Sequence, residues 1–244
     1  MASVYQATKH TYGDALRLFY KAIEFDSNFA SAYGMAAWCH AWRKMNGWMA
    51  DRAMESTEAA RLALQAVELG KEDPVALSMG GFALAFVIGE VEDGAAFIDQ
   101  ALIFNPNLAA GWLLSGWVNV WLGKPEVVIE RATRAIRLIP LDPFASLAYA
   151  LIGWGHFTAG RYDDASSWAD KGLLLQTNSA GAARTAAASH ALAGRLHQAH
   201  KAIALLREID PTFRVSDLRR WFPFRRPEHI ARFEEGLRKA GLPE

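Results

Sequence analysis

The residues of this chain repeat with a period of 34, and that period restricts the possible folds more than any other feature. Gly89 and Gly123 are 34 residues apart, and so are Gly160 and Gly194. The same spacing separates further pairs: Ala101 and Ala135, Ala165 and Ala199, and Pro106 and Pro140. From Gly123 to Gly160 the spacing is 37, which indicates an insertion of three residues near Leu141-Asp142-Pro143. A fixed period of about 20–50 residues is typical of stacked structural repeats.

Each repeated residue type suits a unit of two helices joined by a tight turn. Glycine adopts the turn conformation, and small residues such as alanine allow two helices to approach closely. Proline can follow the end of a helix but cannot continue it. A single unit cannot bury its own apolar face, so neighbouring units must stack into one continuous core.

The unit resembles the tetratricopeptide repeat (TPR), a helix-turn-helix of 34 residues. Trp112 and Gly116 stand at the signature positions of its first helix, helix A, and Ala135 at the small position of helix B. Gly194 and Ala199 match in the last unit, although alanines replace the signature residues of its helix A. The resemblance implies an all-α fold, a right-handed superhelix of TPR-type repeats with a C-terminal helical cap.

We predict a TPR-like array over residues 1–213 and capping helices over residues 214–244. The predicted units are 1–29, 30–74, 75–108, 109–145, 146–179 and 180–213. The first unit has room for helix B but only part of helix A. The second carries an excess of about ten residues around Lys44–Met54, with Asn46-Gly47 as a turn.

The bulk composition excludes several classes of partner. The chain has 26 basic and 26 acidic residues, whereas direct nucleic-acid binding needs a clear cationic excess. The apolar stretch Pro74–Gly89 has 16 residues, fewer than the roughly 20 that span a membrane. A single cysteine, Cys39, suits a reducing compartment. We therefore expect a cytoplasmic protein with neither nucleic acid nor membrane as its direct partner.

The TPR resemblance also implies a binding groove, because helix A of each unit lines the concave face in that fold. The predicted groove residues are Trp38, Trp42, Met79, Phe86, Leu113, Trp117, Trp121, Trp154, Phe157 and Arg184. Tryptophan is enriched in binding hot spots, so this groove should take a helix or an extended segment of a partner. Because groove residues serve binding more than helix packing, we predict that truncation of Trp117 and Trp154 to alanine leaves the helices intact. In the alternative, these aromatics only pack between helices, or the insertion with Trp48 covers part of them.

The residue types that carry catalysis or bind metals are not arranged for either purpose. His40, His156 and His190 occur once per unit, at least about 10 Å apart, and cannot share one metal ion. His197 and His200 are one helical turn apart but lack a third ligand nearby. The sequence contains no phosphate-binding loop of the GxxxxGK[ST] type. We expect no catalytic residues, no metal and no cofactor, and we do not expect an enzyme.

A narrower similarity leaves a second function open. The segment Leu141–Ala165 and the ending Arg232–Glu244 are similar to the C-terminal TPR regions of bacterial class III adenylate/guanylate cyclases and related winged-helix regulators. In that family an output domain lies upstream, but nothing in this chain resembles a cyclase catalytic domain. One hypothesis is a scaffold that binds a protein or peptide segment in the aromatic groove. The other is a regulatory or oligomerisation module of a larger signalling protein, with an attached output domain or a second copy as partner.

Overall fold

The computed structural model describes residues 9–139 and 145–244, with the backbone alone described for Lys9, Arg220 and Trp221. It is 78% helical, and the described residues form no strand, which confirms the predicted all-α class. The helices are α1 (Lys9–Phe25), α2 (Ala30–Met45), α3 (Arg52–Leu69), α4 (Pro74–Ala83), α5 (Val91–Phe104), α6 (Ala109–Leu122), α7 (Pro125–Leu138), α8 (Ala145–Thr158), α9 (Tyr162–Leu175), α10 (Ala180–Leu192), α11 (Leu196–Ile209), α12 (Asp217–Trp221) and α13 (Pro227–Lys239). Pro140 and the predicted insertion at Leu141–Pro143 lie outside the described residues.

The 34-residue period corresponds to the turns between successive helices. Gly89, Gly123, Gly160 and Gly194 have φ angles of 94°, 71°, 77° and 79°. They lie in the turns that lead into α5, α7, α9 and α11. Only glycine occupies this left-handed region at little cost, so the repeated glycines mark where each unit reverses direction.

The chain forms two compact units, with the division after Val118. In the N-terminal unit, α2 packs against α1, α3 and α4, and α4 packs against α5. Side chains such as Leu62, Leu77 and Ile98 are almost completely buried there. A Cβ atom on Gly94 would lie 2.4 Å from the carbonyl oxygen of Gly81, so α4 and α5 can touch only through glycine.

The C-terminal unit is built in the same way. Within it, α8 packs against α7, α9 and α10, and α10 packs against α9, α11 and α13. Leu151, Ile152 and Leu206 form part of its buried core. A Cβ on Gly153 would lie 3.0 Å from the carbonyl oxygen of Ala165, so α8 lies directly on α9. The division of the whole chain into repeat units stays a prediction.

Local signals in the sequence explain where several helices begin. The Asp51 carboxylate accepts a hydrogen bond of 2.9 Å from the Met54 amide at the start of α3. Asp73 caps α4 by accepting from the Val75 and Ala76 amides, and Pro74 occupies the first helical position. A π-helical turn, Leu84–Ile88, extends α4 and ends at Gly89. Among the described residues no helix is long and apolar enough to cross a bilayer.

Candidate protein-binding surfaces

Four aromatic rings meet in the N-terminal unit and form what we call the N-terminal aromatic cluster: Tyr12, Trp38, Trp42 and Trp48. Trp38 and Trp42 lie one turn apart on α2, with ring centroids 5.7 Å apart. Tyr12 of α1 stacks on Trp42 at 5.6 Å, with ring planes only 7° apart. Trp48, from the loop after α2, lies 6.1 Å from Tyr12. The structure therefore brings two predicted groove residues together with one ring from the insertion.

Two polar atoms of this cluster have no hydrogen-bond partner. The Tyr12 side chain is completely buried, and its hydroxyl makes no hydrogen bond. The indole Nε1 of Trp42 is also buried without an acceptor, although the Trp42 residue as a whole is partly exposed. Burial raises the pKa of Tyr12 above its ordinary value, and the nearby Cys39 thiol adds to this effect. An unused buried donor costs about 1–3 kcal/mol, so each of these two groups destabilises the cluster as it stands.

Two other predicted groove residues of this unit, Met79 and Phe86, are buried beneath the chain's own side chains. Phe86 lies in the π-helical turn and is only 1% exposed. The Lys44 ammonium lies 4.7 Å from the centroid of its ring. Lys44 Nζ also donates to the carbonyl oxygens of Phe86 and Val87, at 2.7 Å and 3.2 Å. Burial lowers the pKa of Lys44 to about 8, and the charge of Arg52 acts in the same direction.

The predicted groove residues differ in exposure. Seven of the ten are buried: Trp38, Met79, Phe86, Leu113, Trp121, Trp154 and Phe157. Trp42, Trp117 and Arg184 are partly exposed. Of the predicted groove residues in the N-terminal unit, Trp42 and Trp117 are therefore the two that remain partly accessible, and the assignment of the groove as a binding site stays a prediction.

In the C-terminal unit, two predicted groove residues of α8, Trp154 and Phe157, are covered by α13 and the segment that precedes it. The ring of Trp154 stacks on Phe233 of α13 with centroids 4.0 Å apart. The ring of Phe224 also stacks on Trp154, with centroids 5.8 Å apart. Phe157 meets Phe233 edge to face at 5.0 Å. These contacts place Phe233 against two aromatic residues of α8.

The main chain of α13 and of the residues just before it also approaches α6 and α10 closely. The Arg225 amide donates a hydrogen bond of 2.8 Å to the carbonyl oxygen of Trp121, near the end of α6. On α13, a Cβ atom on Gly236 would lie 2.8 Å from the carbonyl oxygen of Ala188 in α10. The segment from Arg225 to the end of α13 thus contacts α6, α8 and α10 in turn.

Polar contacts surround the aromatic part of this interface. Arg232 donates a hydrogen bond of 2.8 Å to the hydroxyl of Tyr162 on α9. Glu234, which is 5% exposed, pairs with Arg219 at 2.6 Å and more distantly with Arg238 at 3.7 Å. The burial of Glu234 is compensated because both of its oxygens face guanidinium groups.

The only charged residue of the predicted groove, Arg184, lies on α10. Its guanidinium carbon is 4.7 Å from the centroid of the Phe213 ring, a cation–π contact. Burial lowers the pKa of Arg184 to about 10. Arg184 is thus anchored on an aromatic ring of its own chain.

Sequence reasoning missed several residues of these surfaces, including Tyr12, Phe224 and Phe233. A signal for Phe233 is present, because Ile230, Phe233 and Leu237 follow the i, i+3, i+7 spacing of one apolar helix face. That spacing indicates a helix that packs on another surface but does not indicate which one. Tyr12 belongs to the first unit, where the predicted helix A is incomplete and no groove position is assigned.

His40, His156 and His190 are all bonded to neighbouring side chains of the same chain; His40 and His190 are buried, whereas His156 is partly exposed. His40 Nδ1 donates to the Glu55 carboxylate at 3.3 Å. Burial lowers the pKa of both His40 and His156 below the ordinary histidine value. Within residues 9–139 and 145–244, no three His, Cys, Asp or Glu side chains come together as metal ligands would.

No protein-family model matches the chain, and no curated protein matches it. Solved structures do match. The fragment "MamA 41-end" from Desulfovibrio magneticus RS-1 has a TM-score of 0.54 and 18% identity, over 66% of this chain and 89% of that one. The APC/C hetero-tetramer Cut9–Hcn1 has a TM-score of 0.67 and 16% identity, over 94% of this chain and 39% of that one. YrrB, described as a TPR protein with an unusual peptide-binding site, has a TM-score of 0.51 and 21% identity, over 80% of this chain and 93% of that one.

The chain has the tetratricopeptide-repeat fold. At these identities the likeness concerns the fold and carries no function with it. For Cut9–Hcn1 the chain spans only 39% of the matched chain's length.

Proposed function

We propose that this chain is a protein-interaction scaffold, and that a segment of another protein binds at the predicted groove residues of its N-terminal unit. The observation that carries this proposal is the N-terminal aromatic cluster, in which Tyr12 and Trp42 hold buried donors without acceptors. Aromatic rings with a free N–H or O–H supply apolar contact area and can also donate to a partner's main-chain carbonyls. Trp42 is partly exposed, so its ring can be reached from the surface.

The fold supports the same proposal. Stacked helical repeats present extended surfaces that suit peptide or protein segments. Two structures with this fold are described in those terms: YrrB as having a peptide-binding site, and Cut9 as part of a complex with Hcn1. Since the chain is balanced in charge, the partner segment should be recognised by apolar and hydrogen-bonding groups and not by a net charge.

Selection from a displayed library of random peptides, with the purified chain as target, tests this proposal. The dissociation constants of the selected peptides are then measured for the original chain, for Trp42→Ala and for Trp117→Ala. We expect each variant to weaken binding by at least about tenfold, as for hot-spot residues. Ile103→Ala is the matched control, because Ile103 is 80% exposed in the same unit and is not a predicted groove residue. Peptides that bind all four chains equally would show that the groove residues are not the contact surface.

The second hypothesis, a regulatory or oligomerisation module attached to an output domain, rests on the similarity of the segment Leu141–Ala165 and of the ending Arg232–Glu244. In the structure residues 232–244 complete α13 and the tail that follows it. Sedimentation velocity over a wide concentration range separates the two hypotheses. A dimer fraction that rises with protein concentration favours the oligomerisation module. A chain that stays monomeric at all concentrations favours the scaffold.

A further inference from the structure

The segment that covers the predicted groove of the C-terminal unit has the properties of a bound ligand. It contacts the first helices of three successive helix pairs: α6 through Trp121, α8 through Trp154 and Phe157, and α10 through Ala188. These are the helices that the TPR resemblance assigns to the groove. An amphipathic helix that lays one apolar face across a groove is a common mode of peptide recognition.

We propose that α13 occupies, within its own chain, a site that accepts an amphipathic helix from a partner protein, and that the partner's helix displaces α13. This inference rests on the proposed scaffold function and identifies the class of partner for the C-terminal unit. The partner is a helix with the chemistry that α13 shows: apolar side chains at the spacing of Ile230, Phe233 and Leu237. Its aromatic residue takes the place of Phe233 against Trp154 and Phe157.

The shape of the site adds a second requirement. Gly236 lies so close to α10 that a single methyl group there would meet the Ala188 carbonyl oxygen at 2.8 Å and its Cα at 3.0 Å. Because these are main-chain atoms of a packed helix, they cannot move aside as a flexible side chain would. A partner helix therefore needs glycine three residues after its aromatic residue.

The charges around the site add a third requirement. Glu234, the residue directly after Phe233, is nearly buried and pairs with Arg219 of α12. Arg219 itself is 53% exposed, so it remains accessible to a carboxylate of an incoming helix. An acidic residue directly after the aromatic one therefore completes the recognised pattern.

Several properties of α13 make it a replaceable occupant. A helix of 13 residues with an internal glycine is not stable alone in water, so α13 depends on the surface beneath it. Its exposed polar contacts, such as the hydrogen bond from Arg232 to Tyr162, contribute little, so its docking depends on the buried side chains of Phe233 and Leu237, which a partner helix can supply in kind. His229 keeps a buried Nδ1 without a hydrogen-bond partner, which weakens the docking of α13 itself. A partner helix without that unpaired atom would bind the same surface better.

The test uses the full chain and a fluorescein-labelled peptide of residues 225–244 as a stand-in for the partner helix. In the Gly236→Ala chain the added methyl disturbs docking of α13 but leaves α6, α8 and α10 unchanged. We expect this chain to bind the peptide at least about tenfold more tightly than the original chain, because its internal competitor is weakened. A peptide that itself carries Gly236→Ala should not bind. Gly181→Ala is the matched control, since a Cβ on Gly181 meets nothing within 4 Å.

Three results would overturn the proposal. The first is equal peptide affinity for the original and Gly236→Ala chains. The second is loss of the helical circular dichroism of the repeats in Gly236→Ala, which would make α13 an integral part of the fold. The third is a dimer of the original chain that the unlabelled peptide dissociates, because the groove would then belong to α13 of a second copy.

Hydrogen exchange on the original chain gives an independent measurement that needs no substitution. The amides of α13 should exchange clearly faster than those of α10, since α13 opens as a separate unit. Equal exchange rates in both helices would contradict displacement. Failure of the α13 displacement proposal is distinguishable from failure of the scaffold function. The scaffold function is tested separately, by the Trp42 and Trp117 variants in the N-terminal unit.

Discussion

Arg161 donates a hydrogen bond of 3.0 Å from its Nε atom to Nδ1 of His156, five residues earlier in the chain. Because Nδ1 accepts this bond it carries no proton, and the neutral imidazole holds its proton on Nε2. The next helix pair repeats the arrangement, with Arg195 Nε donating to His190 Nδ1 at 3.0 Å. In each pair the arginine directly follows the glycine with a positive φ angle, so the turn places the arginine beside the histidine.

The same two arginines connect one helix pair to the one before it. Arg161 Nη1 donates to Glu126 at 2.8 Å, in the first turn of α7. Arg195 forms the corresponding ion pair with Asp163, in the first turn of α9. These ion pairs involve exposed carboxylates and contribute little energy alone, but they fix the orientation of each arginine toward its histidine.

We predict that the stability of the chain falls on mild acidification, in part through His156. Burial and the charge of Arg161 lower its pKa, whereas in the unfolded chain the value is about 6.5. The unfolded state therefore binds more protons in this range. The stabilisation is complete above about pH 6.5 and is lost as the pH falls through the folded value. His40 and His229, whose pKa values burial also lowers, act with the same sign.

Urea unfolding at several pH values between about 7.5 and 5.5 measures this dependence. Each histidine can contribute a slope of at most about 1.4 kcal/mol per pH unit. His156→Gln should reduce the slope, because glutamine can still accept from Arg161 but does not titrate. An unchanged slope in this variant would contradict the assignment to His156.

We predict that Ala135→Trp strongly destabilises the C-terminal unit. Ala135 is completely buried on α7, where the period places the small residue of helix B. A large ring there would push neighbouring helices apart, which costs about 1–3 kcal/mol or more. Arg134→Trp, at an exposed position on the same helix, is the control and should have a far smaller effect. Equal thermal midpoints for the two variants would show that the repeat register is wrong.

We predict different effects for two tryptophans that the sequence places in one groove. Trp154 is 5% exposed and stacked on Phe233, so Trp154→Ala should lower the free energy of unfolding by about 3–5 kcal/mol. Trp117 is partly exposed, so Trp117→Ala should cost about 1 kcal/mol or less. Guanidinium unfolding of both single variants measures the difference. Similar costs would mean that exposure does not separate binding residues from core residues here.

The fold could be predicted from the sequence because its determinants are local. A glycine with a left-handed φ, as at Gly160, restricts the turn regardless of what lies elsewhere in the chain. A fully buried alanine such as Ala135 marks the helix contact within each unit. Both recur with the period, so counting residues is enough to place them.

The candidate site could be predicted only in part, because the exposure of a side chain depends on distant segments. Trp154 stands at a groove position by register, but Phe233, far along the chain and outside the period, covers it. Likewise, Phe86 is covered by Lys44, whose amine donates to main-chain carbonyl groups in the π-helical turn. No repeat position encodes either contact, since each depends on how one irregular segment folds back.

We predict that Cys39, the only cysteine of the chain, is unreactive until the N-terminal unit opens. It is fully buried on α2, and burial raises the pKa of its thiol to about 12. The thiolate is the reactive form, so the buried and protonated thiol reacts far more slowly than a free cysteine. Alkylation with iodoacetamide, followed by mass spectrometry, should therefore be slower than in urea by at least about a thousandfold.

Because a ligand that binds only the folded unit reduces opening, a peptide selected on the N-terminal surface should slow labelling further. At about 100 times its dissociation constant, the peptide should slow labelling of Cys39 about a hundredfold. The same peptide should leave labelling of Trp42→Ala unchanged, and equal slowing in both chains would place its binding site away from the N-terminal aromatic cluster.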